Sequence, residues 1–112
     1  MKIYHNPRCR KSRETLQILN DKGIDPEIVL YLNDLFTEED LSKILKKLKI
    51  SPIQLVRKSE AIYKSDYKGK EMSDAAWIKA MVKHPKLIER PIVVHGKKAV
   101  LGRPPENVLE II

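Results

Sequence analysis

A chain of 112 residues, 42% hydrophobic and 33% charged, can bury one real core but not two, so a single domain over residues 1–112 is expected. The opening MKIYH is too short and polar for a signal peptide, and no apolar run nears the ~20 residues of a membrane-spanning helix, which points to a cytoplasmic protein with no membrane role. A net charge of +7, from 22 basic against 15 acidic residues, favours an anionic partner, while the lone cysteine excludes an internal disulfide and suits a reducing compartment.

Lys2 to His5 reads as a short strand. After the Asn6-Pro7 turn signal, Ser12 to Lys22 has a helical pattern, with Leu16 and Leu19 one turn apart and Gly23 as its stop. Pro26 opens EIVLYL, a β-branched and apolar run that reads as a second strand. The first ~32 residues therefore have the size of one β-α-β unit, with its two strands parallel.

Thr37 and Asp40 are spaced as a capping box, and Leu41, Ile44, Leu45 and Leu48 fall on one helical face. The opposite face carries Lys43, Lys46, Lys47 and Lys49, the ordinary solvated side of a surface helix. Ser51-Pro52 begins another helical turn through Val56, and YKSDYKGKEM reads as a polar loop. Ser73 can cap a third long helix, whose Trp77, Met81, Ile78 and Val82 pair at i, i+4 as core residues and which His84-Pro85 ends. A strand at Ile92 to Val94 turns at Gly96 and returns as KAVL, and Pro104-Pro105 begin a short C-terminal helix. The order β-α-β, helical insertion over about 37–88, β-β-α predicts an α/β domain with a mixed four-stranded sheet flanked by helices.

Cys9 sits just before the first helix, where the macrodipole and unpaired backbone N–H groups lower a thiol pKa. Arg8, Arg10, Lys11, Arg13 and His5 are expected to push the same way. The plain alternative is a buried, inert cysteine, against which the polar neighbours argue. Ser12 stands where a C-x-x-C pair would have its second cysteine, so a Cys9 adduct needs a thiol from outside to resolve it. Its hydroxyl can cap the helix or donate toward the thiolate. His5, His84, His95 and Cys9 lack metal-ligand spacing, so no metal is expected.

IYHNPRCRKSR, then LVRKSE, ERPIVV and LGRPPE resemble, in order and spacing over essentially the whole chain, the arsenate reductases of the glutaredoxin-linked, thioredoxin-fold type. The resemblance implies a thioredoxin/glutaredoxin-like fold in which Cys9 attacks arsenate and Arg57, Arg90 and Arg103 hold the oxyanion and the covalent adduct. Arginine suits that task, because a tetrahedral anion needs planar donors whose charge never titrates away. Composition alone does not single these three out of 22 basic residues.

By the same resemblance Pro91 carries a cis peptide bond beside the cysteine. His5 either lowers the thiol pKa as a cation or is a strand-end histidine bonded to backbone. The implied reaction reduces arsenate to arsenite with no bound cofactor, glutathione or another small thiol as reductant, and a glutaredoxin-like protein as partner.

Two relatives of that family set the alternatives: a general glutathione-dependent thiol-disulfide oxidoreductase, and an Spx-like regulator that binds RNA polymerase. Ser12 argues against a C-x-x-C switch, and the arginine set argues for an oxyanion over both. Direct nucleic-acid binding is disfavoured by charge spread along the chain, few aromatics and no helix-turn-helix or zinc pattern. A monomer is the default.

Overall fold

In the computed structural model, which describes residues 1–33 and 36–112, strand β1 (Lys2–Tyr4) leads through a turn into helix α1 (Arg10–Asp21). The helix begins two residues before the expected Ser12, because Cys9, and not Ser12, takes the extended N-cap position. It ends as expected: Gly23 adopts φ 74°, and the Ile24 N–H reaches back to the Leu19 carbonyl at 2.9 Å.

Strand β2 covers only Glu27–Val29, not the whole run to Leu32. The reason lies in its partner. β1 offers three residues in parallel register, Lys2 to Glu27, Ile3 to Ile28 and Tyr4 to Val29, and the His5 N–H closes the pairing on the Val29 carbonyl at 2.8 Å. Beyond it the chain turns, and Tyr31 is buried without being in a strand.

Strands β3 (Ile92–His95) and β4 (Lys98–Leu101) form the expected hairpin, with Gly96 at φ 61° in the turn. β3 pairs antiparallel with β1, which gives a four-stranded mixed sheet in the order β2-β1-β3-β4. The C-terminal segment Pro105–Glu110 is a 3-10 helix and not an α-helix. Its three-residue repeat puts Pro105 and Val108 on one buried face. This segment packs on α1, and Ile3, Leu19, Val93 and Val108 form a core there with no solvent exposure.

The chain divides into two compact units, Met1–Asp34 with Arg90–Ile112, and Leu35–Glu89. The first holds the sheet, α1 and the C-terminal turn; the second is helical. Its α2 (Glu38–Leu48) starts in the expected capping box, with the Asp40 N–H donating to Thr37 Oγ1 at 3.1 Å. α2 and the short α3 (Pro52–Leu55) pack on α4 (Asp74–Lys83), which Ser73 caps by accepting the Ala76 N–H.

Trp77 and Met81 are core residues as expected. The segment expected to be a polar loop instead contains a π-helical turn, Tyr63–Tyr67. Its two tyrosine rings lie 6.4 and 5.8 Å from the Trp77 ring, and these contacts supply the order that its polar composition hid. Among the described residues no helix is long and apolar enough to cross a membrane.

Candidate active site

The turn from β1 into α1 is built by Asn6. Its side-chain oxygen accepts the Arg8 N–H at 3.0 Å and its carbonyl accepts the Cys9 N–H at 2.9 Å, which places Cys9 at the helix start with φ −93° and ψ 123°. Ser12, fully buried in the first helical turn, accepts the Asn6 N–H at 3.1 Å and pairs with His5 Nδ1 at 2.6 Å. The hydroxyl therefore ties α1 to the end of β1 and does not cap the helix.

Cys9 is buried, at 8% exposure, contrary to what its polar neighbours led us to expect. Those neighbours face away: Arg10 pairs with Glu14 at 2.8 Å, and Arg13 Nη1 donates to the Pro7 carbonyl at 3.0 Å. The groups at the sulfur come from the far end of the chain. Arg103 Nη2 lies 3.7 Å from Cys9 Sγ, and the Arg90 guanidinium also hydrogen-bonds the thiol. Arg103 Nε donates to the Arg90 carbonyl at 2.8 Å, so one arginine braces the backbone that carries the other. The Arg90-Pro91 bond between them and β3 is cis.

Burial alone pushes the Cys9 thiol pKa up, but the Ser12 backbone N–H, the hydrogen bond and charge of Arg90 and the charge of Arg103 together outweigh it, so the net direction is down. The local basic run contributes nothing resolved to this shift, which corrects the expectation drawn from Arg8, Arg10, Lys11 and Arg13. Nor does His5 act as a cation. Burial, with the nearby Arg13 charge, pushes its imidazole below the ordinary range, so at neutral pH it is uncharged. A thiolate is the reactive form, so Cys9 alkylation should rise with pH through a midpoint below the ordinary thiol value of about 8.5. The pH profile of iodoacetamide reactivity measures this directly, and a midpoint at or above that value would contradict the site as drawn.

Cys9, His5, Ser12, Pro91, Arg90 and Arg103 all belong to the first unit. Arg57 belongs to the second, where its Nε faces Glu60 at 3.5 Å, its Nη1 faces Glu89 at 3.7 Å and its N–H donates to the Leu87 carbonyl. Neither carboxylate was read as its partner from sequence, although the i, i+3 spacing to Glu60 was a usable signal. A surface cavity of about 430 Å³ also belongs to the second unit; it is lined by Lys58, Tyr63, Lys70 and Trp77 among others and contains none of the expected site residues.

The arrangement at Cys9 can hold a thiolate ready at a helix start and present two guanidinium groups to an anion beside it. Residues 4–111 match the ArsC family. An arsenate reductase of Haemophilus influenzae is 50% identical over 98% of this chain and 97% of its own length. An uncharacterized protein of Escherichia coli, YfgD, is 53% identical over 100% of this chain and 96% of its own length. Among solved structures, an arsenate reductase from Vibrio cholerae aligns with a TM-score of 0.94 at 46% identity, over 100% of this chain and 98% of that one.

Proposed function

The chain belongs to the ArsC family, and from that premise we propose that it reduces arsenate to arsenite through a covalent adduct on Cys9. The observation that carries the reading is the pair of guanidinium groups at one buried sulfur, Arg103 Nη2 at 3.7 Å and Arg90 in hydrogen-bond contact. The names of its relatives at about 50% identity support the same substrate.

In this mechanism Arg90 and Arg103 bind the arsenate oxygens and lower the cost of bringing an anion up to a thiolate, and the family resemblance alone assigns Arg57 to the same task. The Cys9 sulfur displaces one oxygen of As(V), which leaves as water after taking up protons, and a sulfur–arsenic bond forms. A glutathione thiolate then attacks the Cys9 sulfur. The sulfur–arsenic bond breaks, its electron pair stays on arsenic, and As(III) leaves as arsenite. Two thiols have been oxidised to one mixed disulfide, which balances the two-electron reduction.

Ser12 in place of a second cysteine leaves the mixed disulfide with no internal resolving thiol, so a glutaredoxin-like protein clears it. Neutral His5 holds the Ser12 hydroxyl and so fixes the first turn of α1 under the sulfur. Such chemistry needs a reduced thiol pool, which suits a cytoplasmic protein.

The test is arsenate-dependent oxidation of glutathione in the presence of glutaredoxin. Turnover that requires all three components is expected. Arg57→Ala and Arg90→Ala should each raise the arsenate KM by about tenfold or more while leaving Cys9 open to alkylation. Thiol-disulfide exchange on model disulfides without arsenate turnover, or tight binding to RNA polymerase without it, would replace this reading.

A further inference from the structure

Gly102 is the one glycine here whose need is space and not backbone freedom: Gly23, Gly69 and Gly96 have positive φ and open surroundings, whereas Gly102 has neither. A Cβ at Gly102 would lie 2.5 Å from Thr15 Oγ1, 2.7 Å from Pro91 Cγ and 3.1 Å from Thr15 Cγ2. Neither neighbour can give way easily. Thr15 is fully buried on α1 with its hydroxyl donating to the Lys11 carbonyl at 2.8 Å, and Pro91 is a buried closed ring. An added methyl would have to retreat 0.9 Å from Thr15 Oγ1, from 2.5 to 3.4 Å, to reach ordinary contact. The backbone that would move carries Arg103 as its next residue.

The same short segment is tied down on its other sides. The Gly102 N–H donates to the Pro91 carbonyl at 2.9 Å. Asn107 Nδ2 donates to the Leu101 carbonyl at 3.2 Å and to the Arg103 carbonyl at 3.0 Å, so one amide group clamps the residues on both sides of Gly102. With its backbone so placed, the Arg103 side chain reaches the Arg90 carbonyl and Cys9 Sγ. A displacement near 1 Å is of the size that costs about 10²-fold in a site built on positioning.

We propose that Gly102 and Asn107 are positioning residues for Arg103: the missing Cβ seats the end of β4 against Thr15 and Pro91, the Asn107 amide clamps it there, and together they aim the guanidinium at Cys9. The inference rests on the reading of Arg103 as an oxyanion- and thiolate-binding group.

Four chains test it, Arg103→Ala, Gly102→Ala, Asn107→Ala and the double Gly102→Ala/Arg103→Ala, each measured for Tm, the midpoint of Cys9 alkylation against pH, and arsenate KM and kcat. Arg103→Ala should raise the midpoint and raise KM about tenfold or more. Gly102→Ala should move both in the same direction by a comparable factor, Asn107→Ala by a few-fold, and the double chain should match Arg103→Ala alone, because a misplaced residue that is already absent has nothing more to lose. Lower Tm with an unchanged midpoint and KM in Gly102→Ala and Asn107→Ala would mean a packing role only and would overturn the proposal, as would effects that add in the double chain. If Gly102→Ala does not fold, Asn107→Ala, which introduces no atoms, decides. An Arg103→Ala chain with wild-type midpoint and kinetics would instead remove the oxyanion reading itself, and the positioning role with it.

Discussion

Replacing Cys9 by serine should lower arsenate turnover at least about 10³-fold, because the nucleophile of a covalent route has been removed and the remaining groups can only bind. Serine keeps the shape of the side chain, so the turn built by Asn6 and the seat of the residue on α1 persist. Its hydroxyl is far less acidic than a thiol, so the Ser12 N–H, Arg90 and Arg103 that push the Cys9 pKa down do not make it a comparable nucleophile. The measurement is arsenite formed under saturating glutathione and glutaredoxin, with Tm recorded on the same sample. Tm within a degree or two of wild type is the expected companion result. Turnover within tenfold of wild type would show that the sulfur is not the attacking atom, whatever its proximity to the arginines.

The largest effect on stability is expected at Leu19. It has no solvent exposure and touches the core formed with Ile3, Val93 and Val108, so it connects α1 to the two central strands and to the C-terminal turn at once. Leu19→Ala removes buried methyl and methylene groups and leaves a cavity that these neighbours, themselves fully buried, cannot collapse into; about 3 kcal/mol is expected, within the usual range of about 2–5. For a chain of this size that corresponds to a fall in Tm of ~10 °C or more. Leu109→Ala is the matching control, since Leu109 is 44% exposed on the C-terminal turn and should cost no more than about 0.5 kcal/mol. Denaturant or thermal unfolding of the two chains side by side decides the point, and equal losses would place the core elsewhere. Because Leu19 lies on the helix whose first residues hold Cys9, the same chain should also bind arsenate less well once it is near its unfolding transition.

The elements that could be read from sequence share one property: the signal and its consequence lie within a turn or two of each other. Thr37 caps α2 through Asp40, Ser73 caps α4 through Ala76, Gly23 closes α1, and Gly96 turns the β3–β4 hairpin. Where the consequence depended on a distant partner, the sequence misled. EIVLYL has strand propensity throughout, but only its first three residues find β1 to pair with. YKSDYKGKEM is polar throughout, but Trp77 offers its tyrosines a ring to pack on. The C-terminal segment is legible as helical but not as a 3-10 turn, because Pro105 and Val108, three residues apart, share a face in either kind of helix.

The same division runs through the site. The sequence by itself determined that one cysteine stands at a helix start, that no second cysteine can resolve its adduct, and that the chain carries excess positive charge, because these follow from residue identity and local order alone. Tertiary structure decided which charges reach the sulfur. Arg10 and Arg13, one and four residues from Cys9, are spent on Glu14 and on the Pro7 carbonyl, while Arg103, 94 residues away, stands at the thiol. The physical reason is that Arg10 and Arg13 find their partners within a turn or two of chain, whereas the antiparallel pairing of β1 with β3 and of β3 with β4 brings the backbone just before β3 and just after β4 to the end of β1, beside the turn where Cys9 sits. The requirement for no side chain at all at Gly102 was equally invisible, since it is set by Thr15 and Pro91 and by nothing adjacent in the chain.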